Sequence, residues 1–196
     1  ALERIRDVGD GGGLDVDLAK AEDVDRFFAA ADEFLGGLDI AVINAAVPAE
    51  AVDDTSEADT RYQLETDLVS YVITAQAAAR RMQAGSDIVL IGSMSAVSRK
   101  GGNSIYVAAK SGIQGFATAL RQELAEKDIK VGLIEPGFTG ADFHYPKFPP
   151  ADQARLINEH RMLRAEDIAV AAHFMLTQPR RTAVSLMRVE TRREHP

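Results

Sequence analysis

The sequence contains no cysteine among its 196 residues, which excludes disulfide bonds, thiolate metal sites and a cysteine nucleophile. It has no apolar run close to the roughly 18 residues that a membrane-spanning helix needs, and its opening, ALERIRDVGD, does not resemble a signal peptide. Basic residues are in the minority, 22 against 30 acidic ones. The net charge of −8 argues against nucleic acid or an anionic membrane as a main partner. We therefore expect a cytoplasmic protein.

The histidines do not suggest a metal site. His144, His160, His173 and His195 lack the spacing of metal ligands, so we assign no metal. The composition is otherwise ordinary for a globular domain, with 46% hydrophobic and 27% charged residues. A chain of this length can bury one core, and we expect a single domain over residues 1–196.

The stretch from Ser86 to Lys110 carries the clearest pattern. It opens with the short run Ile88-Val89-Leu90-Ile91, which is rich in β-branched residues and predicts a strand buried on both faces, as in a parallel sheet. Ser93 follows directly after this strand. Because ligands in open α/β sheets bind beyond the carboxyl ends of the strands, we expect Ser93 to stand at the rim of a binding crevice.

Tyr106 and Lys110 lie four residues apart in a helix predicted to start near Ile105, and therefore share one helical face. Lowering a phenol pKa from about 10 toward 7 takes roughly 4 kcal/mol, and an ammonium about 4 Å away supplies about that much at an effective dielectric of 20. We expect Lys110 to lower the pKa of Tyr106, which would then exchange a proton with a carbonyl or alcohol oxygen that Ser93 also binds. About one chain in eight of this composition has such a pair by chance, so ordinary packing and solvation of a helix face is the alternative.

Hydrophobic periodicity predicts the other elements. An amphipathic helix is predicted over 21–35, with a buried side formed by Val24, Phe27, Phe28, Ala31 and Leu35. Further helices are predicted over 57–84, from about 105 to about 127, and over 162–176. Strands are predicted over 14–16, 38–44, 131–134 and 185–189. The strands over 38–44 and 131–134 are expected to be buried. The glycines at 11–13 are interpreted as a loop, because a phosphate-binding turn should follow a strand and open a helix.

Ser93, Tyr106 and Lys110, in this strand–loop–helix order, resemble the catalytic set of the short-chain dehydrogenase/reductase family, whose members transfer a hydride between NAD(P) and a carbonyl or alcohol. Three further segments resemble family motifs in the family's order: Leu14-Asp15-Val16 the D-V at the adenine pocket, Ile43-Asn44-Ala45-Ala46 the N-N-A-G segment, and Glu135-Pro136-Gly137 the P-G beside the nicotinamide. The resemblance implies a Rossmann-like, doubly wound parallel sheet with helices on both faces and bound NAD or NADP. The residues that the resemblance places at the cofactor are Asp15, Val16, Asn44, Ala45, Ala46, Tyr106, Lys110, Pro136, Gly137 and Thr139.

The resemblance also implies roles for the site residues. Tyr106 would be the acid/base, Lys110 would also hold the nicotinamide ribose, and Ser93 would position the substrate oxygen. Asp67 stands where the family has an Asn that supports a water-linked proton path, so we expect an activity that is retained but altered, with a changed proton relay. The helix containing Asp67 and the helix containing Tyr106 pair across a dimer interface in the family, which implies a homodimer or homotetramer.

Residues 138–163 correspond to the family's substrate cover and lack a strong helical or strand period. Long irregular loops of this kind are often lids. Candidates for contact with a small alcohol or ketone substrate are Phe143, His144, Tyr145 and Phe148. Packing of these aromatic residues within the loop itself is an equally weighted alternative.

The family's glycine-rich turn after its first strand, and its second strand, have no counterpart in this sequence. In the family strand order 3-2-1-4-5-6-7, the Asp15 strand would lack a neighbour and the cofactor cleft would be half formed. We therefore expect an incomplete domain, with about 40–50 further residues upstream of Ala1 in the natural protein and weak dinucleotide binding without them. A non-catalytic binding or scaffold protein of the same fold is the main alternative to an oxidoreductase. An epimerase or lyase is a third, which would need a larger C-terminal domain.

Overall fold

A four-stranded parallel sheet forms the centre of the protein. The computed structural model describes residues 9–48, 50–144 and 147–193, together with residues 5 and 7. The strands are β1 (Ile40–Ile43), β2 (Asp87–Ile91), β3 (Lys130–Pro136) and β4 (Leu186–Val189), and they pair in the order β1-β2-β3-β4. Each pairing is parallel, so the chain must return across the sheet between consecutive strands. Leu2, Ile5 and Val8 recur at helical spacing and predict the tail of a helix within residues 1–10, a segment that lies largely outside the described residues.

The described helices are, in chain order, α1 (Ala21–Leu35), α2 (Glu57–Leu64), α3 (Ser70–Arg81), α4 (Ser95–Ser98), α5 (Ser104–Ala125), α6 (Pro150–Asn158) and α7 (Ala165–Leu176). The helices from α2 onward make these returns, whereas α1 precedes β1. The last of them begins three residues later than the predicted start at 162. Within the described ranges, no helix is both long and apolar enough to cross a membrane.

Both faces of the sheet are covered, as the sequence predicts. Successive residues of a strand point to opposite faces. Ile88 and Leu90 pack with α3 and α5 in one cluster, whereas Val89 and Ile91 pack with α7 in the other. The continuous apolar run of β2 is therefore explained by burial on both sides, and the prediction of a Rossmann-like α/β fold is confirmed.

β1 is shorter and more exposed than predicted. The buried strand expected over 38–44 is confined to Ile40–Ile43, and Ile40 and Val42 are each 50% exposed. Ile43 is buried and Ala41 packs against the core, so one face of the strand is covered. The prediction of full burial was wrong because, in the described part of the chain, β1 pairs with β2 alone and lies at the edge of the sheet.

Leu14–Val16 is not a strand, which corrects a second prediction. Residues 10–16 have no regular secondary structure, and Asp15 is exposed. A strand needs a neighbour to bond its N–H and C=O groups, and no described strand runs beside this segment. The Asp15 carbonyl instead accepts a hydrogen bond from Arg26 Nη2 at 2.9 Å. The glycines at 11–13 lie in this irregular segment, as expected for a loop.

α1 has the predicted bounds but a narrower buried side. It ends at Gly36, whose φ of 68° is in the left-handed region that favours glycine. Val24 and Phe28 are buried, whereas Phe27 and Leu35 are largely exposed. The helix lies against the end of α3, where Arg81 bonds Asp32 at 2.9 Å, so only the stripe facing the core is covered.

The predicted long helix over 57–84 runs from Glu57 to Arg81 with a change of geometry in the middle. Ser56 caps its start, because the Ser56 hydroxyl accepts a hydrogen bond from the Asp59 N–H at 3.1 Å. Between α2 and α3, residues Glu65–Val69 form a π-helical turn, in which the Ser70 N–H bonds the Glu65 carbonyl. Such turns widen the helix by one residue and often occur at functional sites.

Residues 138–163 leave the sheet and come back to the same point. Thr139 and Leu163 form a parallel bridge, in which the Gly140 N–H bonds the Leu163 carbonyl at 2.9 Å and the Leu163 N–H bonds the Phe138 carbonyl at 2.8 Å. The segment between them contains α6, a helix of nine residues, although the sequence of this segment lacks a strong helical period. The two ends of the segment are therefore fixed side by side.

Candidate active site

Ser93 lies at the carboxyl edge of the sheet, between the ends of β2 and β3. The Gly92 N–H bonds the Ile134 carbonyl at 2.7 Å, and the Met94 N–H bonds the Pro136 carbonyl at 2.9 Å, so the sheet pairing continues past the serine on both sides. The Ser93 hydroxyl accepts a hydrogen bond from the Ser95 N–H at 3.1 Å. This bond fixes the oxygen and leaves the hydroxyl hydrogen available for donation.

Tyr106 lies in the first turn of α5 and is hydrogen-bonded to Ser93. Burial raises the pKa of Tyr106 to about 12; the Ser93 hydrogen bond lowers it and the Asp67 charge raises it. The lowering that we expected from Lys110 is therefore not found. The Lys110 ammonium lies 5.4 Å from the centre of the Tyr106 ring, and its hydrogen bond goes to a different phenol.

That second phenol is Tyr71, in α3. Lys110 Nζ donates a hydrogen bond to the Tyr71 hydroxyl at 3.2 Å, and the Tyr71 hydroxyl donates to the Ile91 carbonyl at 2.9 Å. Lys110 is only 1% exposed. Burial lowers the pKa of Lys110 to about 8, and the nearby Asp67 charge raises it in part.

Asp67 is fully buried in the π-helical turn and faces Lys110. Its Oδ1 accepts a hydrogen bond from the Val47 N–H at 2.7 Å. Burial raises the pKa of this carboxyl, while the Val47 hydrogen bond, the Lys110 charge and the nearby Gln63 amide lower it. Among the described residues, Oδ2 of Asp67, Nε2 of Gln63 and Oγ1 of Thr66 lack a hydrogen bond of ordinary geometry.

The segments expected at the cofactor meet at the same sheet edge, with one exception. Asn44, Ala45 and Ala46 follow β1 directly and lead to Val47, which binds Asp67. The Pro136–Gly137 turn is bonded to the Ser93 loop through Met94, and the Thr139 hydroxyl donates to the Gly137 carbonyl at 3.0 Å. The exception is the pair Asp15 and Val16, because no described contact joins them to Ser93, Tyr106 or Lys110.

The aromatic residues of the 138–163 segment contact one another. The rings of Phe138 and His144 are 4.7 Å apart and those of Phe138 and Phe148 are 5.2 Å apart, both edge to face. This contact favours packing within the segment as the role of His144 and Phe148. Tyr145 and the side chain of Phe143 lie outside the described part of the structure.

Sequence reasoning did not find Tyr71. The signal was available, because Tyr71 is four residues after Asp67 and is a large polar aromatic residue in an otherwise Ala-rich helix. Its partner, however, is 39 residues away in the sequence, and no local pattern predicts that contact.

The family model described as short chain dehydrogenase matches residues 6–150. The chain belongs to the short-chain dehydrogenase family. The resemblance drawn from Ser93, Tyr106 and Lys110 is thereby confirmed at the level of the family.

Named relatives of this short-chain dehydrogenase are reductases. The chain is 35% identical over 137 residues to a human 3-oxoacyl-[acyl-carrier-protein] reductase, and 31% identical over 169 residues to carbonyl reductase family member 4 of Danio rerio. The match to the human protein covers 68% of the chain and 58% of that protein. The match to the Danio rerio protein covers 85% of the chain and 71% of that protein. The chain thus spans little more than half of the human protein.

A solved structure confirms the fold. The crystal structure of a short chain dehydrogenase from Burkholderia cenocepacia J2315 in complex with NADP superimposes with a TM-score of 0.83 at 26% identity. The superposition covers 96% of this chain and 79% of that one.

Proposed function

We propose that the protein is an NAD(P)-dependent oxidoreductase that interconverts a carbonyl and an alcohol by hydride transfer, with Tyr106 as the acid/base. The observation that carries this proposal is the hydrogen-bonded pair of Ser93 and Tyr106 at the carboxyl edge of the sheet, with Lys110 buried one helical turn beyond. The reductase names of the relatives support the same reaction class.

Tyr106 is suited to give a proton to a carbonyl oxygen during reduction. With a pKa of about 12, the phenol is protonated at neutral pH. A substrate oxygen placed against Ser93 and Tyr106 would receive hydrogen bonds from both hydroxyls. These bonds strengthen as negative charge develops on that oxygen, so they stabilise the transition state more than the substrate.

Lys110 supplies positive charge to this cleft. With a pKa of about 8, roughly nine in ten molecules carry the ammonium at pH 7. One N–H bond is directed to Tyr71, and the ammonium has three donors in all, so it can also bind a ribose hydroxyl. Asp67 lies close enough to raise the pKa of Lys110 and thereby favours the charged form at physiological pH.

The chemistry of the cleft fits a nicotinamide dinucleotide. It presents an ammonium, two hydroxyls and the amide of Asn44 along one sheet edge, with small side chains at Ala45 and Ala46 that permit close approach. We propose that Lys110 and Tyr106 bind the nicotinamide ribose, that the Pro136–Gly137 turn and Thr139 bind the carboxamide, and that the segment after β1, with Asp15 and Val16, lies toward the adenosine. When bound, NAD or NADP would supply or accept the hydride. The NADP in the Burkholderia structure supports this choice of cofactor class.

We propose a small alcohol or ketone as substrate, covered by residues 138–163. The bridge between Thr139 and Leu163 supports this role, because it fixes both ends of the segment beside the Pro136–Gly137 turn. We further propose that residues 1–196 belong to one domain that assembles as a homodimer or homotetramer. Exposed apolar side chains along one helical run, at Val69 and Ile73, support an assembly through that run.

The proposal is tested by following the absorbance of NADH and NADPH with a panel of ketones, on protein that includes any residues preceding Ala1 in nature. We expect oxidation of one cofactor by at least one ketone, and loss of turnover in Tyr106→Phe with cofactor binding retained. Tyr62→Phe, which removes a hydroxyl at the exposed end of α2, is the matched control and should keep full activity. Failure of both dinucleotides to bind would favour a non-catalytic scaffold instead.

A further inference from the structure

The buried cluster around Lys110 contains a phenol that the proposed reaction does not use. Tyr71 is fully buried, and its hydroxyl has two partners on opposite sides. It accepts a hydrogen bond from Lys110 Nζ at 3.2 Å and donates one to the Ile91 carbonyl at 2.9 Å. Tyr71 therefore connects the lysine of α5 to the end of β2, two residues before Ser93.

We propose that Tyr71 is a positioning residue whose hydroxyl holds the Lys110 side chain as an ammonium ion in the cleft, an inference that rests on the proposed role of Lys110. The geometry requires this direction of donation: the Tyr71 proton is committed to the Ile91 carbonyl, so its oxygen is left to accept. Lys110 can donate a hydrogen bond to that oxygen, and this bond is strongest when the lysine is charged.

The other groups around Lys110 do not replace this contact. The titratable groups that face the ammonium are Asp67 from the π-helical turn, Tyr71 from α3 and Tyr106 from its own helix, and β2 contributes the Ile91 carbonyl through Tyr71. Asp67 directs Oδ1 to Val47, and the Tyr106 phenol is bonded to Ser93. Both therefore act on Lys110 mainly through charge or through the aromatic ring.

The substitution Tyr71→Phe tests the contribution of the hydroxyl separately from that of the aromatic ring. Lys110 Nζ lies 4.5 Å from the centre of the Tyr71 ring, and phenylalanine keeps this cation–π contact and the buried volume. The hydroxyl alone is lost, and with it both the acceptor for Lys110 and the donor to the Ile91 carbonyl. A hydrogen bond to a charged group favours that charged form, so its removal should lower the proton affinity of Lys110 about tenfold.

The primary test measures this proton affinity without any cofactor. The Lys110 ¹³Cε resonance, assigned with Lys110→Met, is followed against pH by NMR. We expect its titration midpoint to fall by about one pH unit in Tyr71→Phe and to stay unchanged in the control Tyr62→Phe. An unchanged midpoint in a folded Tyr71→Phe would overturn the proposal.

A second measurement uses the unaltered protein, in case Tyr71→Phe does not fold. When Lys110 loses its proton, the neutral amine can still donate an N–H, but the hydrogen bond to the Tyr71 oxygen loses its charge and weakens. The Tyr71 ¹³Cζ resonance should therefore shift with the same midpoint as the Lys110 ¹³Cε resonance. A Tyr71 resonance that stays constant through the lysine titration would contradict the proposal.

Activity provides a third readout. If the protein oxidises NADH or NADPH with a ketone, the alkaline loss of turnover should move by about one pH unit toward acid in Tyr71→Phe, and turnover at pH 8 should fall severalfold. Turnover equal to or above that of the unaltered protein would refute the positioning role. If the unaltered protein shows no turnover, the proposed function fails, while the two NMR titrations still decide the role of Tyr71.

Discussion

Replacing Lys110 by methionine should increase the stability of the fold. Lys110 is 1% exposed, and burial lowers its pKa from 10.5 to about 8, so folding disfavours its charged form. At pH 7 the ammonium is present in both the folded and the unfolded chain, so the full cost of burying it is subtracted from the free energy of unfolding. Methionine has a similar shape and no charge, so it removes this cost without leaving a large cavity.

The size of the effect follows from the pKa difference. A change from 10.5 to about 8 corresponds to about 3.4 kcal/mol, which needs little correction for solvent because the ammonium is buried. Part of this gain is lost, because Asp67 no longer faces a cation and its pKa rises further. We therefore expect Lys110→Met to raise the free energy of unfolding by about 1–3 kcal/mol at pH 7.

The pH dependence gives the sharper test. Between pH 8 and 10.5 the unfolded chain binds the lysine proton and the folded chain releases it, so stability rises with pH in this window. From pH 7 to pH 10, Lys110 should contribute about 2.5 kcal/mol of this rise. Urea unfolding at several pH values should show the rise in the unaltered protein and a smaller one in Lys110→Met.

The exposed Lys127 provides the matched control. Lys127→Met should change stability by less than about 0.5 kcal/mol and leave the pH dependence intact. If Lys110→Met destabilises the protein at pH 7 and leaves its pH dependence unchanged, the interpretation of Lys110 as a costly buried cation is refuted.

Three further predictions concern individual side chains. Asp67→Asn removes a charge that raises the pKa of Lys110, so the alkaline loss of ketone reduction should begin below pH 8, and a pH–rate profile with its midpoint unmoved would contradict this. Ser93→Ala removes the hydrogen bond to Tyr106 and one donor to the substrate oxygen, and should lower kcat about 10- to 100-fold in steady-state assays while the chain stays folded by circular dichroism. Gly132→Ala places a Cβ 2.9 Å from Met175 Sδ and 3.0 Å from the Val184 carbonyl, and should lower the free energy of unfolding in urea by about 1–3 kcal/mol. In the control Gly115→Ala, on α5, the added Cβ meets nothing within 4 Å, so this change should be neutral or stabilising.

The parts of the fold that sequence predicts well are those decided by local pattern. β2 is a continuous apolar run, and burial on both faces follows from that run alone. α1 is bounded by an amphipathic period and a glycine stop, and its ends were predicted correctly. The exposure of β1 and of Phe27 was not predictable in this way, because their sequences are as apolar as those of buried elements. What decides their exposure is the neighbour that each one has in space.

The same distinction applies to the site. Ser93, Tyr106 and Lys110 were found from their spacing, and the family they indicate is confirmed. The expected direction of the Tyr106 pKa shift was wrong, because the expectation considered one ammonium and left out burial, which is the largest influence on the Tyr106 pKa. Nor did the sequence indicate that the hydrogen bond of the Lys110 ammonium goes to Tyr71, which is far away in the chain.

The widened turn at Glu65–Val69 sets the rotational phase of the helix that follows it. If the same residues formed regular i to i+4 bonds with none removed, Ser70–Arg81 would turn by about 100° relative to α2, which is the rotation of one residue. Tyr71 would then point away from β2, and the lysine would lose its acceptor even though every named site residue remained in the sequence. The one extra residue in this turn therefore decides which face of Ser70–Arg81 meets the sheet, and with it the hydrogen-bond partner of the buried lysine.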